Sequence, residues 1–209
     1  MRKALILGLA GVMSVGFAAT ADAGILRFIG VKGAWSSSGR AADADTEFER
    51  RTGVSLGAEA EWQLGNVISL RTDFEYTERG WIMRESGGEA QEETELNYVS
   101  VPILFQFSVP AVITRPYVQI GPRIDFLTKI NSDTFGDETP DDWKSMLVGG
   151  VIAAGAQIQK FYPVVISGTA RYNFDFGDLS DLENVKITNN AVDVWVGVGY
   201  AFGPKQFGR

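Results

Sequence analysis

The run AVDVWVGVGYAF at residues 191–202 constrains the fold of this chain more than any other stretch. Valine or an aromatic residue occupies every even position from Val192 to Phe202, whereas the odd positions are mixed and include Asp193. Alternation with period two over this length predicts a β-strand with one unbroken apolar face. That face ends in an aromatic pair, as in a strand that crosses a lipid core and reaches the headgroup level. We therefore predict a transmembrane strand and expect the other strands to close against it.

The N-terminus has the features of a secretory signal. Two basic residues precede the apolar stretch 4–19, and a small-residue A-x-A site ends at Ala23. Glycines and Ser14 interrupt the apolar stretch, which makes a retained membrane anchor the weaker alternative. The chain is predicted to comprise a cleaved Sec signal peptide (residues 1–23), an outer-membrane β-barrel (24–203) and a short C-terminal tail (204–209).

Composition argues against several classes of function. The chain has no histidine, which removes Ser-His-Asp triads, HExxH zinc sites and histidine general bases, so we predict no enzymatic activity, cofactor or metal. It also has no cysteine, so its stability must come from burial or from closure of a sheet. Without residues 1–23 it carries 17 basic and 25 acidic residues, and this negative charge argues against nucleic acid as a partner.

Seven further segments are predicted strands: residues 26–36, 54–63, 67–77, 96–108, 116–130, 146–159 and 164–176. Long polar segments are predicted as loops at residues 37–52, 78–95, 131–144 and 177–190. Short connections lie at residues 64–66, 110–115 and 160–163. Because long and short connections alternate between consecutive antiparallel strands, all the long loops lie at one end of the sheet and all the short connections at the other. The sequence therefore predicts an all-β fold, an eight-stranded antiparallel up-and-down transmembrane β-barrel.

Two prolines lie inside predicted strands, Pro102 and Pro122. Proline cannot donate to a strand ladder, and a closed barrel has no edge at which to place it. The alternation is intact on both sides of each proline. We therefore expect bulges or a local gap in pairing between the fourth and fifth strands.

Several phrases occur in order along the chain: FIGVKGA at 28–34, LRTDFEYTERG at 70–80, LNYVSVPILFQF at 96–107, RPYVQIGP at 115–122, and the closing strand. Together they resemble the outer-membrane β-barrel domain family, the small eight-stranded porin-family or OmpA/OmpX-like barrels. The resemblance implies a protein of the cell outer membrane of a Gram-negative bacterium, exposed at the cell surface. It implies outer-membrane lipid and the barrel-assembly machinery as partners. We expect a monomer with a surface ligand of unknown identity.

The closing strand also looks like the C-terminal signal that the barrel-assembly machinery reads in this family. The residues that carry this resemblance are Val194, Val196, Val198, Tyr200 and Phe202. The chain departs from the family pattern after Phe202, because residues 203–209 follow the aromatic residue that usually ends the chain.

If the apolar rows face lipid, four cations and seven anions face the barrel interior. They are Lys32, Glu59, Glu61, Arg71, Asp73, Glu75, Arg123, Asp125, Arg171, Asp175 and Asp193. Side chains just fill the interior of an eight-stranded barrel, so buried charges there must pair. We interpret these residues as a hydrogen-bonded polar core. The alternative is a narrow cation-preferring path through the excess of carboxylates.

The third loop partly matches a calcium-binding loop. Asn131, Asp133, Gly136 and Asp142 fall at positions 1, 3, 6 and 12 of that motif. Phe135 occupies position 5 and the bidentate glutamate is missing, which favours a solvated acidic loop.

Five arginines lie in or beside the predicted loops: Arg40, Arg50, Arg51, Arg79 and Arg84. Guanidinium groups suit the geometry of lipid phosphates. Because acidic residues surround these arginines, we interpret them as ordinary charged residues of the loops. Trp62 is predicted to lie in an interfacial belt and Trp195 in the core, whereas the alternation does not assign Trp35, Trp81 and Trp143 to a face.

We therefore predict an integral outer-membrane β-barrel with a structural or surface-interaction role, a filled charged interior and four external loops. The first alternative is a narrow cation-preferring porin. A further alternative is a soluble lipocalin-like barrel that binds a ligand, which would place its large apolar residues inside and its charges outside.

Overall fold

The computed structural model describes residues 26–41, 48–84, 90–109, 111, 113–132, 145–176 and 188–203. The strands are β1 (Leu26–Ala41), β2 (Phe48–Gln63), β3 (Ile68–Arg84), β4 (Ala90–Ser108), β5 (Thr114–Ser132), β6 (Met146–Ile158), β7 (Val164–Asp175) and β8 (Thr188–Ala201). They form a closed antiparallel barrel in sequence order, which confirms the predicted fold class. In these ranges there is no helix long and apolar enough to cross a membrane. The predicted signal peptide and the tail after residue 203 lie outside the described residues.

The closure of the barrel depends on the pairing of β8 with β1. Fourteen residue pairs join the two strands, from Phe28 with Ala201 to Ala41 with Thr188, in one unbroken register. Because side chains alternate between faces, this register places the valine row of β8 beside the outward row of β1.

We call the end with the three short connections the short-turn end, and the opposite end the loop end.

The two faces of the sheet have opposite chemistry. On β8, Val194 and Val196 are each 52% exposed, whereas Asp193 is 2% and Trp195 is 1% exposed. The other strands repeat the apolar outer face over most of their length and carry polar side chains inside, except β6, where Leu147, Val151 and Ala153 lie inside. The lipocalin-like alternative is therefore wrong, because it requires the reverse. The burial of Trp195 confirms its predicted place in the core.

The strands are longer at the loop end than the alternation predicts. β1 continues to Ala41 and β2 begins at Phe48, so most of the loop predicted at 37–52 is strand. β3 and β4 likewise replace most of the loop predicted at 78–95. Beyond the membrane the outer face meets water, so polar residues are suitable on both faces and the alternation of apolar and polar residues disappears. The backbone hydrogen bonds between strands do not depend on this alternation, so the strands continue.

The strands also divide by length into a tall and a short side. β1 to β5 contain between 16 and 19 residues. β6 to β8 contain between 12 and 14 residues. We call the extension of β1 to β5 at the loop end the tall wall.

The two prolines interrupt one ladder, as expected. Between β4 and β5 the pairing stops after Pro102 with Arg123 and resumes at Phe105 with Ile120, in the same register. A separate shift in register lies at Asn97 and Tyr98, where the Thr128 hydroxyl donates to the Asn97 carbonyl oxygen at 2.8 Å. The predicted local gap in pairing between the fourth and fifth strands is confirmed.

The apolar outer face predicts that a charged substitution there lowers the stability of the barrel more than the same substitution in a short connection. Val196→Lys places a charge near the middle of the outer apolar row, where a lysine costs about 2–4 kcal/mol in lipid. Val109→Lys changes an exposed valine in a short connection and should cost at most about 1 kcal/mol. Urea unfolding in phospholipid vesicles measures both. Equal losses of unfolding free energy would contradict the assignment.

Candidate functional site

The eleven charged residues predicted to face the interior lie inside the barrel. Ten of them are at most 6% exposed, and the side chain of Asp175 is 2% exposed. The physical cause is the alternation along each strand, which sends side chains two apart to the same face.

Four of these residues form the centre of the network, and we call them the central cluster: Lys32, Asp73, Glu75 and Arg171. The Lys32 Nζ donates to Asp73 Oδ2 at 2.6 Å and to Glu75 Oε1 at 2.7 Å. Arg171 donates to the same two oxygens, to Glu75 at 2.5 Å and to Asp73 at 2.8 Å. Two cations from β1 and β7 therefore neutralise two carboxylates of β3 across the interior.

Neighbouring side chains surround this cluster. Arg71 donates to Glu59, and its Nε lies 3.4 Å from Asp73 Oδ1. The indole of Trp195 packs against both cations, with Lys32 Nζ 4.4 Å and the Arg171 guanidinium carbon 5.4 Å from a ring centroid. Cation–π contact with a desolvated ring adds to the ion pairs.

A second group of polar side chains lies toward the short-turn end, around Glu61. Arg115 Nη1 donates to Glu61 Oε1 at 2.7 Å, and Gln157 Nε2 donates to the other oxygen at 3.0 Å. The Ser69 hydroxyl donates to Glu61 Oε1 at 3.0 Å. Sequence reasoning placed Arg115 in a short connection and missed this role. Arg115 has the same odd parity as Arg123 on β5, and that parity was the available signal.

A third group lies toward the loop end. Arg79 Nη1 donates to Asp125 Oδ2 at 2.9 Å. Arg123 Nε lies 2.8 Å from the same oxygen, and its Nη2 donates to Asp175 at 2.5 Å. Asn173 donates to Asp193 at 2.6 Å. The interpretation of Arg79 as a loop charge is wrong: it is 2% exposed, because β3 extends past it and keeps its parity.

The two additional arginines change the charge balance of the interior. With Arg79 and Arg115, the described interior contains six cations and seven anions instead of four and seven. Arg27 lies at the rim, with its Nε 4.0 Å from Glu61. The excess of carboxylates that suggested a cation path is therefore nearly absent.

An apolar layer lies near each end of the polar network. At the loop end, buried Trp81, Leu96, Tyr98, Ile130 and Leu147 pack together. At the short-turn end, Phe28, Val165 and Ala201 pack together, with Tyr162 against them. The loop-end layer is formed by residues of β3 to β6, and the short-turn layer by residues of β1, β7 and β8. Sequence reasoning missed both, because their members come from different strands.

The remaining candidates do not converge on a site. Arg50 donates to the Ser37 carbonyl oxygen at 2.6 Å, and Arg51 donates to Glu95 at 2.8 Å, both within the tall wall. The structure does not describe the side chains of Arg40, Arg84 and Trp143, or those of the calcium-like loop at 131–144. Trp35 is exposed on the outer face, and Trp62 is half-buried and donates to Thr72 at 3.1 Å. Within the described ranges, no three acidic residues are grouped to hold a metal ion.

Residues 22–181 match the protein family described as "Outer membrane protein beta-barrel domain". No curated protein sequence matches the chain. Among solved structures, the chain is similar to neisserial surface protein A (NspA), with a TM-score of 0.55 and 16% identity, over 84% of this chain and 97% of that one. It is also similar to OprG from Pseudomonas aeruginosa, with a TM-score of 0.54 and 11% identity, over 86% and 98% of the two chains. At these identities the two structures support the fold alone.

The central cluster predicts a large loss of stability when one of its cations is removed. Lys32→Met leaves Asp73 and Glu75 with less compensating charge, and breaking a buried pair costs about 3–5 kcal/mol. Arg50→Met removes an exposed cation of the tall wall and should change stability by at most about 0.5 kcal/mol. Urea unfolding followed by tryptophan fluorescence compares the two variants. If they unfold at the same urea concentration, the network does not stabilise the barrel.

Proposed function

Because this chain belongs to the outer membrane protein β-barrel domain family, we propose that it is a rigid, non-conducting and non-catalytic barrel that displays its four loops at the cell surface. Barrels of this kind have short periplasmic turns and longer extracellular loops. The short-turn end then faces the periplasm, and the tall wall and the loops face outward. The proposed export by a Sec signal peptide and the proposed monomeric state agree with this arrangement.

The filled interior is the observation that carries the proposal. Ion pairs at hydrogen-bonding distance occupy the middle of the barrel, and an apolar layer lies at each end. An eight-stranded barrel leaves no further room beside such side chains. A barrel filled in this way is a rigid support, and its interactions are left to its outer face and its loops.

Charge is distributed unequally between the two ends of the barrel. The connections at the loop end, residues 42–47, 85–89, 133–144 and 177–187, contain 13 acidic and 2 basic residues. The connections at the short-turn end contain one lysine and no acidic residue. Surfaces of one sign attract partners of the opposite sign and steer their approach. This asymmetry supports a cationic surface as the partner of the loops.

Assembly is proposed to use the outward row of β8. Val194, Val196, Val198, Tyr200 and Phe202 are each between 40% and 52% exposed. The Tyr200 and Phe202 rings meet edge to face, with centroids 5.2 Å apart. An exposed apolar row that ends in aromatic side chains is available to the barrel-assembly machinery before lipid covers it.

The cation-preferring porin is the alternative that this proposal must exclude experimentally. Reconstituted in planar phosphatidylcholine bilayers in molar KCl, the protein is expected to show no stable single-channel steps, because the apolar layers and ion pairs block the interior. A porin of known conductance in the same membrane is the control. Stable steps that disappear in Glu59→Gln/Glu61→Gln protein would overturn the proposal.

The surface-interaction role predicts charge-dependent binding of a cationic probe. Replacing the acidic residues at 133, 137, 138, 141 and 142 by their amides should lower the binding of fluorescent polylysine by about tenfold at low salt. The assay uses phosphatidylcholine vesicles that contain the barrel. Thr134→Ala/Thr139→Ala protein, which keeps the loop charge, is the matched control and should bind as the wild type does. Equal binding by the amide variant would contradict an electrostatic role for this loop.

A further inference from the structure

A shallow apolar groove runs along the outer face of the barrel across β7, β8, β1 and β2. It has two sections of about 590 and 630 Å³, and both include Val31 and Val198. One section reaches Gly33 and Leu56 in the middle of the barrel, and the other reaches Val164 and Tyr200 near the short-turn end. The two sections therefore adjoin along the strands at Val31 and Val198.

Small residues between larger ones form this groove. Gly33 lies in the outward row of β1, between Leu56 of β2 and Val196 of β8. A Cβ atom at Gly33 would lie 3.5 Å from Leu56 Cδ2, which is ordinary van der Waals contact. Glycine is therefore not required there by steric crowding, although a β-branched residue would suit an outward strand position better. The missing side chain leaves space on a surface that faces lipid.

We infer that the groove binds one acyl chain of a phospholipid from the periplasmic leaflet. The groove extends from the Tyr200 level to the Val196 level, about 13 Å along a strand, and a strand tilt of about 35–45° makes this about 10 Å of membrane depth. Half of a hydrocarbon core is about 15 Å thick, so the groove covers about two thirds of the depth of one leaflet. The aromatic pair Tyr200 and Phe202 marks the headgroup level at its lower end.

The charge at the short-turn end suits a phospholipid headgroup. The observed strands leave short connections at residues 64–67, 109–113 and 159–163, and Lys160 is the only charged residue in their sequence. Lys160 is exposed in the turn that leads to Val164. Its Nζ lies 6.0 Å from the ring centroid of Phe161. A lysine at this level attracts the lipid phosphate. This inference does not depend on the proposed role of the loops.

Photocrosslinking tests the inference on the whole barrel. The protein is placed in vesicles of phosphatidylethanolamine and phosphatidylglycerol that include a phospholipid with a diazirine on its acyl chain. Mass spectrometry then locates the label. We expect labelling of Val31, Val196 and Val198 to exceed that of Val118 and Ile152 on the opposite face by about fivefold, the preference that roughly ten carbon–carbon contacts would give.

Two variants make the test specific. Gly33→Val fills the mid-barrel section and should reduce the labelling of Val196, which lines that section alone, to the level of the opposite face. Ala154→Leu adds the same number of carbon atoms to an outward position of β6 and should leave the groove labelling unchanged. Heat-dependent gel mobility checks that both variants are folded. Uniform labelling around the wild-type barrel would overturn the inference, as would groove labelling that falls when the protein-to-lipid ratio is raised, because that indicates a second copy in the groove.

Discussion

Ion pairing across a narrow closed sheet is the interaction on which the rest of this structure depends. The central cluster joins β1, β3 and β7, which are not neighbours in the sheet. Each buried charge without a partner would cost several kcal/mol of folding free energy. The six cations and seven anions of the interior therefore need partners of opposite charge. Because those contacts cross the interior, they also hold opposite walls of the barrel at a fixed separation.

The buried ion pairs occupy the middle of the barrel, with an apolar layer toward each end. We propose that together they block a hydrated path. The proposed function then leaves the loops, which carry most of the negative charge, and the apolar outer face as the surfaces for interactions.

The two ends of the barrel are suited to different surroundings. At the loop end the tall wall extends beyond the apolar outer rows and carries polar side chains such as Ser38, Arg50 and Arg51. At the short-turn end the connections are brief and almost uncharged, and an aromatic pair lies at the border of the apolar outer face. The acyl groove begins at that border, so the lipid contact that we propose lies on the opposite half of the barrel from the acidic loops.

Periodicity of the sequence determined most of this protein's fold. The alternation in β8, the order of long and short connections and the prolines Pro102 and Pro122 predicted the strands, the closure and the gap between β4 and β5, because each is a local pattern that a closed sheet requires. The same parity identified eleven interior charges. It missed Arg79 because the predicted third strand ended too early, at residue 77, and Arg115 because the predicted fifth strand began too late, at residue 116.

Only the tertiary structure decided how these side chains meet. The partners of Lys32 lie 41 and 43 residues away, and those of Arg171 lie 96 and 98 residues away, so no local pattern pairs them. The apolar layers, the near balance of interior charge and the groove at Gly33 likewise combine residues from several strands. The sequence by itself determined which face each side chain takes, since that depends on period two. Register and closure decided which side chains touch, since those contacts form between strands far apart in the chain.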